Sequence, residues 1–298
     1  MKKVNKKTEL KVSHDAELQD YIIEATGKSR TSVKSLFAHK QIFVDGKNIS
    51  QYNFNVKKNQ LITINSVGTS YDKSDNKLNN LKIIFEDTDI IVVEKPSGML
   101  SVSTGKGNEI TAYSLLRNYV KTESLFNKIF IVHRLDKSTS GLMLFAKNEQ
   151  AKRILQSNWN SFVQQRKYVA VVCGKVRNES GTIISYLKEN AAMQMYASQN
   201  AEDAQRAVLY YKVLKSNNWF SLIDVELETG RKNQIRVQMQ EMGHSIAGDK
   251  KYGGKPSSIG RLALHARTLE FIHPITRERM SFSTKIPKKF LIVFDDKT

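Results

Sequence analysis

The segment from His133 to Gly141 holds the residue types best suited to chemistry, because one carboxylate, Asp136, lies between two basic side chains. Apolar runs at residues 129–132 and 142–145 flank it, and both have the composition of short buried strands. The segment is therefore predicted to be a polar loop fixed between two core strands. Such a loop can hold one carboxylate rigidly, as a nucleophile or a general base requires.

Two further segments carry polar or basic side chains within sequence that otherwise has strand character. The first is residues 165–170, which include Tyr168, and the second is residues 228–238, which include Arg236. A sheet can bring side chains from separate strands to one cleft. We therefore expect these segments to meet the carboxylate of Asp136.

All three segments closely resemble, in order and spacing, the RluA-like family of RNA pseudouridine synthases. The resemblance covers essentially all of residues 81–298, and the motifs taken together are highly specific. It extends to four more motifs, at residues 94–100, 247–254, 262–266 and 271–274.

The resemblance implies an activity and assigns roles to residues. Enzymes of this family detach uracil from its ribose, turn the base and rejoin it through carbon, without a cofactor. The essential carboxylate falls on Asp136, as nucleophile or as base, and the sequence leaves that choice open. Arg236 is then the cation that keeps Asp136 ionised, and Tyr168 is the ring that packs against the target base. We expect these three to be the catalytic residues of an RNA pseudouridine synthase.

The resemblance also implies RNA contacts around the site. Arg134 corresponds to an arginine that helps to displace the target nucleotide from its stack. Arg231 and Lys232 are expected to line the RNA groove. The chain departs from a common family pattern at Asn233, where a histidine is often found, and we expect this asparagine to orient its neighbours.

Residues 14–65 have the pattern of a separate small module. Two helical patterns lead to a strand that enters a tight turn, and an isoleucine-rich strand closes the module. This arrangement resembles the S4 RNA-binding domain. Lys28, Arg30 and Lys34 would give it a basic face for phosphates, so we expect all three to bind RNA.

The organisation along the chain follows from these patterns. We expect a basic tail at residues 1–13, the S4-like domain at 14–65, a polar linker at 66–80 and the catalytic domain at 81–298. The catalytic domain has many strand patterns and few helical ones. We therefore predict an α+β fold with a largely antiparallel β-sheet, preceded by a small α+β domain.

Composition limits the partners and the compartment. The 298 residues carry a formal net charge of +18, which favours polyanions such as RNA. The single cysteine excludes a disulfide within the chain and fits a reducing cytoplasm. The basic start lacks the apolar stretch of a secretory signal, and no apolar run approaches membrane-spanning length. We expect a cytoplasmic monomer that acts on ribosomal large-subunit RNA, or alternatively on transfer RNA, with no membrane and no obligate protein partner.

Other functions stay open at this point. A non-catalytic RNA-binding or ribosome-assembly factor could keep the same fold, although such a protein has no need for Asp136, Tyr168 and Arg236 together. A nucleoside hydrolase is a weaker alternative, because breaking a glycosidic bond commonly uses paired carboxylates and only one carboxylate motif is present. No metal site is expected, since the histidines lack ligand spacing and one cysteine excludes a Cys/His zinc pattern.

Overall fold

The computed structural model describes residues 7–38, 41–65, 78–105, 109–122 and 124–295. Contacts divide the chain into two compact units. The first unit contains Met1–Asn79 and Ser114–Ile129, and the second contains Asn80–Tyr113 and Phe130–Thr298. Most of the predicted linker, residues 66–77, and the first six residues of the predicted tail lie outside the described residues.

The first unit is a small α+β module with its own core. Its elements are β1 (Lys7–Lys11), β2 (Ala16–Glu17), α1 (Leu18–Thr26), α2 (Arg30–Ala38), β3 (Ile42–Val44), β4 (Lys47–Asn48), β5 (Asn55–Val56) and β6 (Leu61–Asn65). Four strands pair in the order β1–β6–β3–β4, and β2 pairs with β5. The apolar faces of α1 and α2, visible in the sequence as helical spacing, pack in one core with Ile42 and Ile62.

Two features of this unit differ from the sequence-based expectation. Residues 7–11, which were expected in a basic tail, form β1 and pair with β6, and Val12 is buried in the core. The lysines and the polar residues around this strand hide its short alternation of apolar positions. Residues 114–129, which were expected in the catalytic domain, belong to the first unit, where Leu125 packs against the core.

From Leu81 onward the chain is dominated by strands. The elements are β7 (Lys82–Glu86), β8 (Ile90–Lys95), α3 (Ala112–Lys121), β9 (Phe130–Ile131), β10 (Ser140–Ala146), α4 (Glu149–Ser157), α5 (Trp159–Phe162), β11 (Val163–Cys173), β12 (Ser180–Glu189), β13 (Met195–Ser198), β14 (Gln205–Ser216), β15 (Phe220–Leu227), α6 (Gln234–Glu241), β16 (Leu264–Ile272), β17 (Arg279–Ser283) and α7 (Lys288–Leu291), with a final 3-10 turn at Ile292–Phe294.

These strands form one 11-stranded sheet in the order β13–β12–β14–β15–β11–β16–β10–β8–β7, with β17 beside β16 and β9 beside β10. Most neighbours are antiparallel, whereas β10 and β16 run parallel. The predicted α+β fold with a largely antiparallel sheet is confirmed. No helix in the described ranges is both long enough and apolar enough to cross a membrane.

Gly141 ends the predicted polar loop at a point of close backbone contact. Its φ is +118°, and a Cβ added there would lie 2.1 Å from the carbonyl oxygen of Ala266. Only glycine lets β10 approach β16 this closely in that conformation. The loop therefore enters the sheet at a fixed register, with Gly141 paired to Ala266.

One segment with predicted strand character is helical. Residues 234–241 form the α-helix α6. The residue before it, Asn233, has a left-handed backbone conformation with φ of 54°. Gln238 is fully buried and donates to the carbonyl oxygens of Ile183 and Ala207, at 3.1 Å each. Hydrogen bonds from buried glutamines thus anchor the helix to the sheet, and an apolar pattern in the sequence cannot reveal such contacts.

Candidate active site

The buried side chain of Lys95 anchors the loop that carries Asp136. The Lys95 ammonium donates to the carbonyl oxygens of Met99 at 2.7 Å, Pro96 at 3.0 Å and Lys137 at 3.3 Å. The amide of Gly98 donates to the same Lys137 oxygen at 2.8 Å. The turn after β8 and the loop before β10 are therefore joined through backbone groups.

Ser101 anchors the backbone on the other side of Asp136. The hydroxyl of Ser101 donates to the carbonyl oxygen of Leu135 at 2.7 Å and accepts from the Leu135 amide at 3.1 Å. The amide of Thr139 donates to the carbonyl oxygen of Asp136 at 3.1 Å. With both neighbours of Asp136 fixed, its carboxylate has little freedom to move, which is a requirement for a reacting group.

Arg236, in the first turn of α6, binds two carboxylates at once. Its Nε and Nη2 donate to Asp249 at 2.7 and 2.8 Å, and its Nη1 donates to Asp136 Oδ2 at 3.0 Å. The Asp249 side chain is 0% exposed, against 28% for Asp136. Burial opposes the charge on Arg236, but the hydrogen bonds and charges of Asp249 and then Asp136 raise its pKa. The guanidinium is thus permanently charged, and its planar fork is aimed by Asp249.

Asn233 provides the second hydrogen bond to the Asp136 carboxylate. Its Nδ2 donates to Asp136 Oδ2 at 2.5 Å, and its Oδ1 accepts from the hydroxyl of Tyr252 at 3.1 Å. The Tyr252 ring also lies 4.9 Å from the guanidinium carbon of Arg236. Asn233, which was expected from the sequence to orient its neighbours, therefore contacts the carboxylate directly.

Tyr168 lies in β11, in the electrostatic field of this carboxylate. Burial raises the pKa of the Tyr168 phenol, the charge of Arg166 opposes that shift, and the charge of Asp136 adds to it. The phenol is therefore neutral at physiological pH. The structure thus places Arg236, from a helix, in hydrogen-bond contact with Asp136, and Tyr168, from a strand, within range of the charge of Asp136.

His133 has a structural place beside the site. Its Nε2 accepts a hydrogen bond from the Leu144 amide at 2.9 Å, and its ring packs against Trp159 with centroids 4.8 Å apart. Burial, followed by the charge of Arg166, lowers the pKa of His133 to about 3. A neutral imidazole that accepts from the backbone supports the start of the loop.

Lys95 makes the stability of this framework depend on pH. Burial lowers the pKa of Lys95 to about 8, against the nearby charge of Asp136, which raises it. Between about pH 8 and pH 10.5 the unfolded chain therefore holds a proton that the folded protein has released, so the Lys95 contribution to stability rises with pH. The ceiling on this rise is about 3 kcal/mol, because each pKa unit corresponds to about 1.4 kcal/mol.

We expect the difference in unfolding free energy between the wild type and Lys95→Met to shift in favour of the wild type as pH rises through this window. Denaturant unfolding at pH 7.5, 9 and 10.5 measures it, with Lys82→Met, an exposed lysine, as the control. A difference that stays constant over this range would show that Lys95 has an ordinary pKa.

The three cations expected to contact RNA around the site differ in whether other protein groups already bind them. Arg134 is exposed and makes no hydrogen bond or ion pair with the described part of the chain. Arg231 donates through Nε to the carbonyl oxygen of Arg206 at 3.2 Å. Lys232 forms an ion pair with Glu189. Arg134 is thus the most available of the three cations for a phosphate or an emptied base position.

The three candidate residues of the first unit are also engaged differently. Arg30 forms an ion pair with Asp20 at 3.0 Å, and both side chains are largely exposed. Lys28 lies 3.6 Å from the ring centroid of Phe126. Lys34 is exposed and lies 5.9 Å from the ring centroid of Tyr52.

Asp87, Asp89 and His273 form a cluster with metal-ligand chemistry away from Asp136, with ligand atoms within 4.8 Å of one another. These atoms already have protein partners. Asp87 Oδ1 accepts from the amides of Asp89 and Ile90 at 2.8 Å each, and Asp87 Oδ2 lies 3.0 Å from His273 Nε2. Two amides donate to His273 Nδ1, so Nε2 carries the proton and donates to Asp87. The cluster ties the β7–β8 turn to the end of β16.

Comparisons with known proteins identify the family. The model of the RNA pseudouridylate synthase family matches residues 89–241. The uncharacterized RNA pseudouridine synthase YhcT of Bacillus subtilis is 32% identical over 261 residues, which cover 87% of this chain and 86% of that protein. The chain belongs to the RNA pseudouridylate synthase family. It is an enzyme, an RNA pseudouridine synthase.

Other comparisons agree with this family. The ribosomal large subunit pseudouridine synthase D of Buchnera aphidicola subsp. Baizongia pistaciae is 33% identical over 282 residues, 88% of this chain and 87% of that protein. The solved structure of human RNA pseudouridylate synthase domain containing 4 aligns with a TM-score of 0.59 and 24% identity, over 70% of this chain and 90% of that one. This likeness shows the pseudouridine synthase fold.

Reasoning from the sequence missed three participants in the geometry of this synthase. Asp249, Lys95 and Tyr252 all lie in motifs that were recognised as family motifs, but none was given a role. For Asp249 and Lys95 the sequence gives no signal of burial, because Lys and Asp are almost never fully buried, and only the structure shows that both lie in the interior with partners. For Tyr252 the sequence offers no signal of its own, because its hydroxyl acts through Asn233.

Proposed function

We propose that Asp136 is the catalytic carboxylate and that its Oδ1 atom is the one that reacts. The observation that carries this proposal is the asymmetry of its contacts. Arg236 and Asn233 both donate to Oδ2, whereas Oδ1 has no hydrogen-bond partner in the described ranges of the chain. The donors stabilise the charge through one oxygen and leave the other open to a substrate.

The isomerisation needs no external reactant, because pseudouridine has the same atoms as uridine. The bond between the ribose C1′ and the uracil N1 breaks, the base turns, and a bond forms between C1′ and C5. The C5 proton is lost, and N1 gains a proton. Asp136 Oδ1 would start the reaction either by attack on C1′ or by removal of a ribose proton, and both routes require an ionised carboxylate.

Tyr168 and Arg134 complete the proposed site. The neutral Tyr168 ring offers a flat face against which the target uracil packs, and its position near Asp136 supports this role. Arg134, which is exposed beside Asp136 in the sequence, would enter the space left by the extruded nucleotide or bind the flanking phosphates. Arg231 and Lys232 would contact the RNA backbone, Lys232 after exchange of its Glu189 partner.

We infer ribosomal large-subunit RNA as the substrate, with transfer RNA as the alternative. The support is the relative named for the ribosomal large subunit, which aligns over 88% of this chain, and the net charge of +18. A ribosomal substrate would place the enzyme in the cytoplasm. The test is to map pseudouridines across total cellular RNA in cells with the gene, without it and with Asp136→Asn. We expect one or more large-subunit positions to be lost in both altered strains. Unchanged pseudouridines in every RNA would contradict the proposal, and loss confined to transfer RNA would select the alternative.

We also propose that the first unit is an S4-like RNA-binding domain. Its α1–α2 region carries Lys28, Arg30 and Lys34, and its strand–turn–strand β3–β4 follows the predicted pattern. The +18 charge of the whole chain supports a polyanionic ligand.

A salt titration distinguishes the cations of this unit. Lys34→Met should weaken binding of substrate RNA and reduce the slope of log K against log salt by about 0.7 to 0.9, the value for one lost phosphate contact. Arg30→Met should have a smaller effect, because Asp20 already neutralises that guanidinium. Equal slopes for the wild type and Lys34→Met would remove Lys34 from the RNA interface.

A further inference from the structure

A cavity of about 420 Å³ in the first unit is lined in part by a buried side chain whose polar atoms lack hydrogen-bond partners among the described residues. Gln41 lines this cavity and is 1% exposed. Among the residues that the structure describes, neither its Oε1 nor its Nε2 has a hydrogen-bond partner. A buried carboxamide without partners is costly, so its retention in the core points to a ligand that completes both bonds.

The rest of the cavity wall defines the chemistry of that ligand. Leu36, Ile64 and Phe126 provide apolar surface, and Lys28 places its ammonium 3.6 Å from the Phe126 ring centroid. The ligand must therefore combine a flat apolar body, an edge with adjacent donor and acceptor atoms, and a negative charge near Lys28. An unpaired nucleotide has all three: its base stacks on aromatic and apolar groups, its Watson–Crick edge pairs with an amide, and its phosphate binds a cation.

We propose that this cavity binds one unpaired nucleobase of the RNA, separate from the uridine that is isomerised. The Gln41 carboxamide bonds the edge of the base, and Lys28 binds the adjacent phosphate. The cavity volume of about 420 Å³ lies within the usual range for small-ligand pockets, about 300 to 1,000 Å³. The proposal rests on the RNA-binding role proposed for the first unit, and it adds a base-reading contact to a surface otherwise defined only by charge.

The experiment uses the full chain and three short probes: hexauridylate, hexaadenylate and a hexamer of abasic ribose phosphate. Fluorescence anisotropy gives the affinity of each for the wild type, Gln41→Leu, Lys28→Met and the control Gln51→Leu, which replaces an exposed glutamine of the same unit. We expect Gln41→Leu to lose about tenfold in affinity for at least one of the two base-containing hexamers and nothing for the abasic one. Lys28→Met should weaken binding of all three probes, and Gln51→Leu should match the wild type.

Stability provides the second measurement. Leu in place of an unpartnered buried carboxamide should leave the melting temperature of the free protein unchanged or raise it. A variant that melts no lower yet binds base-containing RNA more weakly has lost a ligand contact rather than its fold. If Gln41→Leu melts at a lower temperature than the wild type, Gln41→Met replaces it in the same titration. Methionine is also apolar and, like glutamine, has an unbranched side chain.

The results separate the two levels of the proposal. Equal affinities of Gln41→Leu and Gln51→Leu for both base-containing hexamers would overturn the pocket, while a reduced salt slope for Lys34→Met would still support RNA binding by the unit. If Gln41→Leu loses as much affinity for the abasic hexamer as for the base-containing ones, Gln41 does not recognise a base, and this result too would overturn the proposal. If the wild type binds none of the hexamers, the pocket is not a site for an unpaired base.

Discussion

Replacing Asp136 with Asn should abolish the conversion of uridine to pseudouridine while the protein stays folded and still binds RNA. The amide has the shape of the carboxylate, and its oxygen can still accept from Arg236 and Asn233, but it carries no charge to attack C1′ or take a proton. We expect the rate to fall by about 10⁴- to 10⁶-fold, the range of losses measured when one residue of a catalytic unit is removed. A single-turnover assay on transcribed RNA, with pseudouridine quantified in the product, measures the rate.

The control for this prediction is Asp203→Asn, which removes a carboxylate that is 88% exposed and far from the loop in sequence. That variant should have the rate of the wild type. Stability should fall by about 1 kcal/mol or less in Asp136→Asn, because Arg236 keeps its two bonds to Asp249. A comparable rate for Asp136→Asn and the wild type would remove Asp136 from the chemistry.

Removing Arg236 should damage both activity and stability. Arg236→Ala leaves the Asp249 side chain 0% exposed and without its cation, and within the described ranges its remaining donors are the amides of Lys251 and Tyr252. Loss of one partner from a buried ion pair costs about 3–5 kcal/mol. Turnover should fall severely, because Asp136 Oδ2 also loses its cationic donor. Arg236→Lys should restore only part of both, since one ammonium cannot reproduce the planar fork that spans two carboxylates.

Two further variants separate the roles of this arginine. Asp249→Asn keeps acceptors for the amides of Lys251 and Tyr252 but no longer fixes the guanidinium by charge, so turnover should fall about 10- to 100-fold in a folded protein. A double-mutant cycle between Asp136→Asn and Arg236→Ala should show strong non-additivity in turnover, as expected for residues of one unit. Additive losses would mean that the two residues act independently. An unchanged rate in Asp249→Asn would show that Asp249 serves only folding.

The sequence predicted the loop at Asp136 well, because its signals are local. Apolar runs on both sides define two strands, and the polar residues between them have no other place than a loop. The antiparallel character of the sheet could also be predicted, since this part of the chain has many strand patterns and few helical ones. The meeting of Asp136 with Arg236 came from the family resemblance, because residues 100 positions apart share no local pattern.

What the sequence did not predict depends on buried polar contacts and on packing between distant segments. Helix α6 has a mixed pattern because Gln234 and Gln238 are buried beside its apolar residues. Lys95 and Asp249 have the composition of surface residues, although both lie in the interior. Residues 114–129 belong to the first unit through packing of Leu125, a contact that sequence order conceals.

The place of β16 in the sheet has a consequence for how the enzyme is made in the cell. This strand lies between β11 and β10, so it joins the half of the sheet that is formed by β11 to β15 to the half that is formed by β7 to β10, next to the Asp136 loop. It is nevertheless the tenth of the eleven strands of this sheet in chain order. A nascent chain halted before Leu264 has two half-sheets with unpaired edges, which are templates for aggregation. Translation must therefore pass the end of β16 before Asp136 and Arg236 can be fixed in place, and a stop codon within β16 should abolish activity.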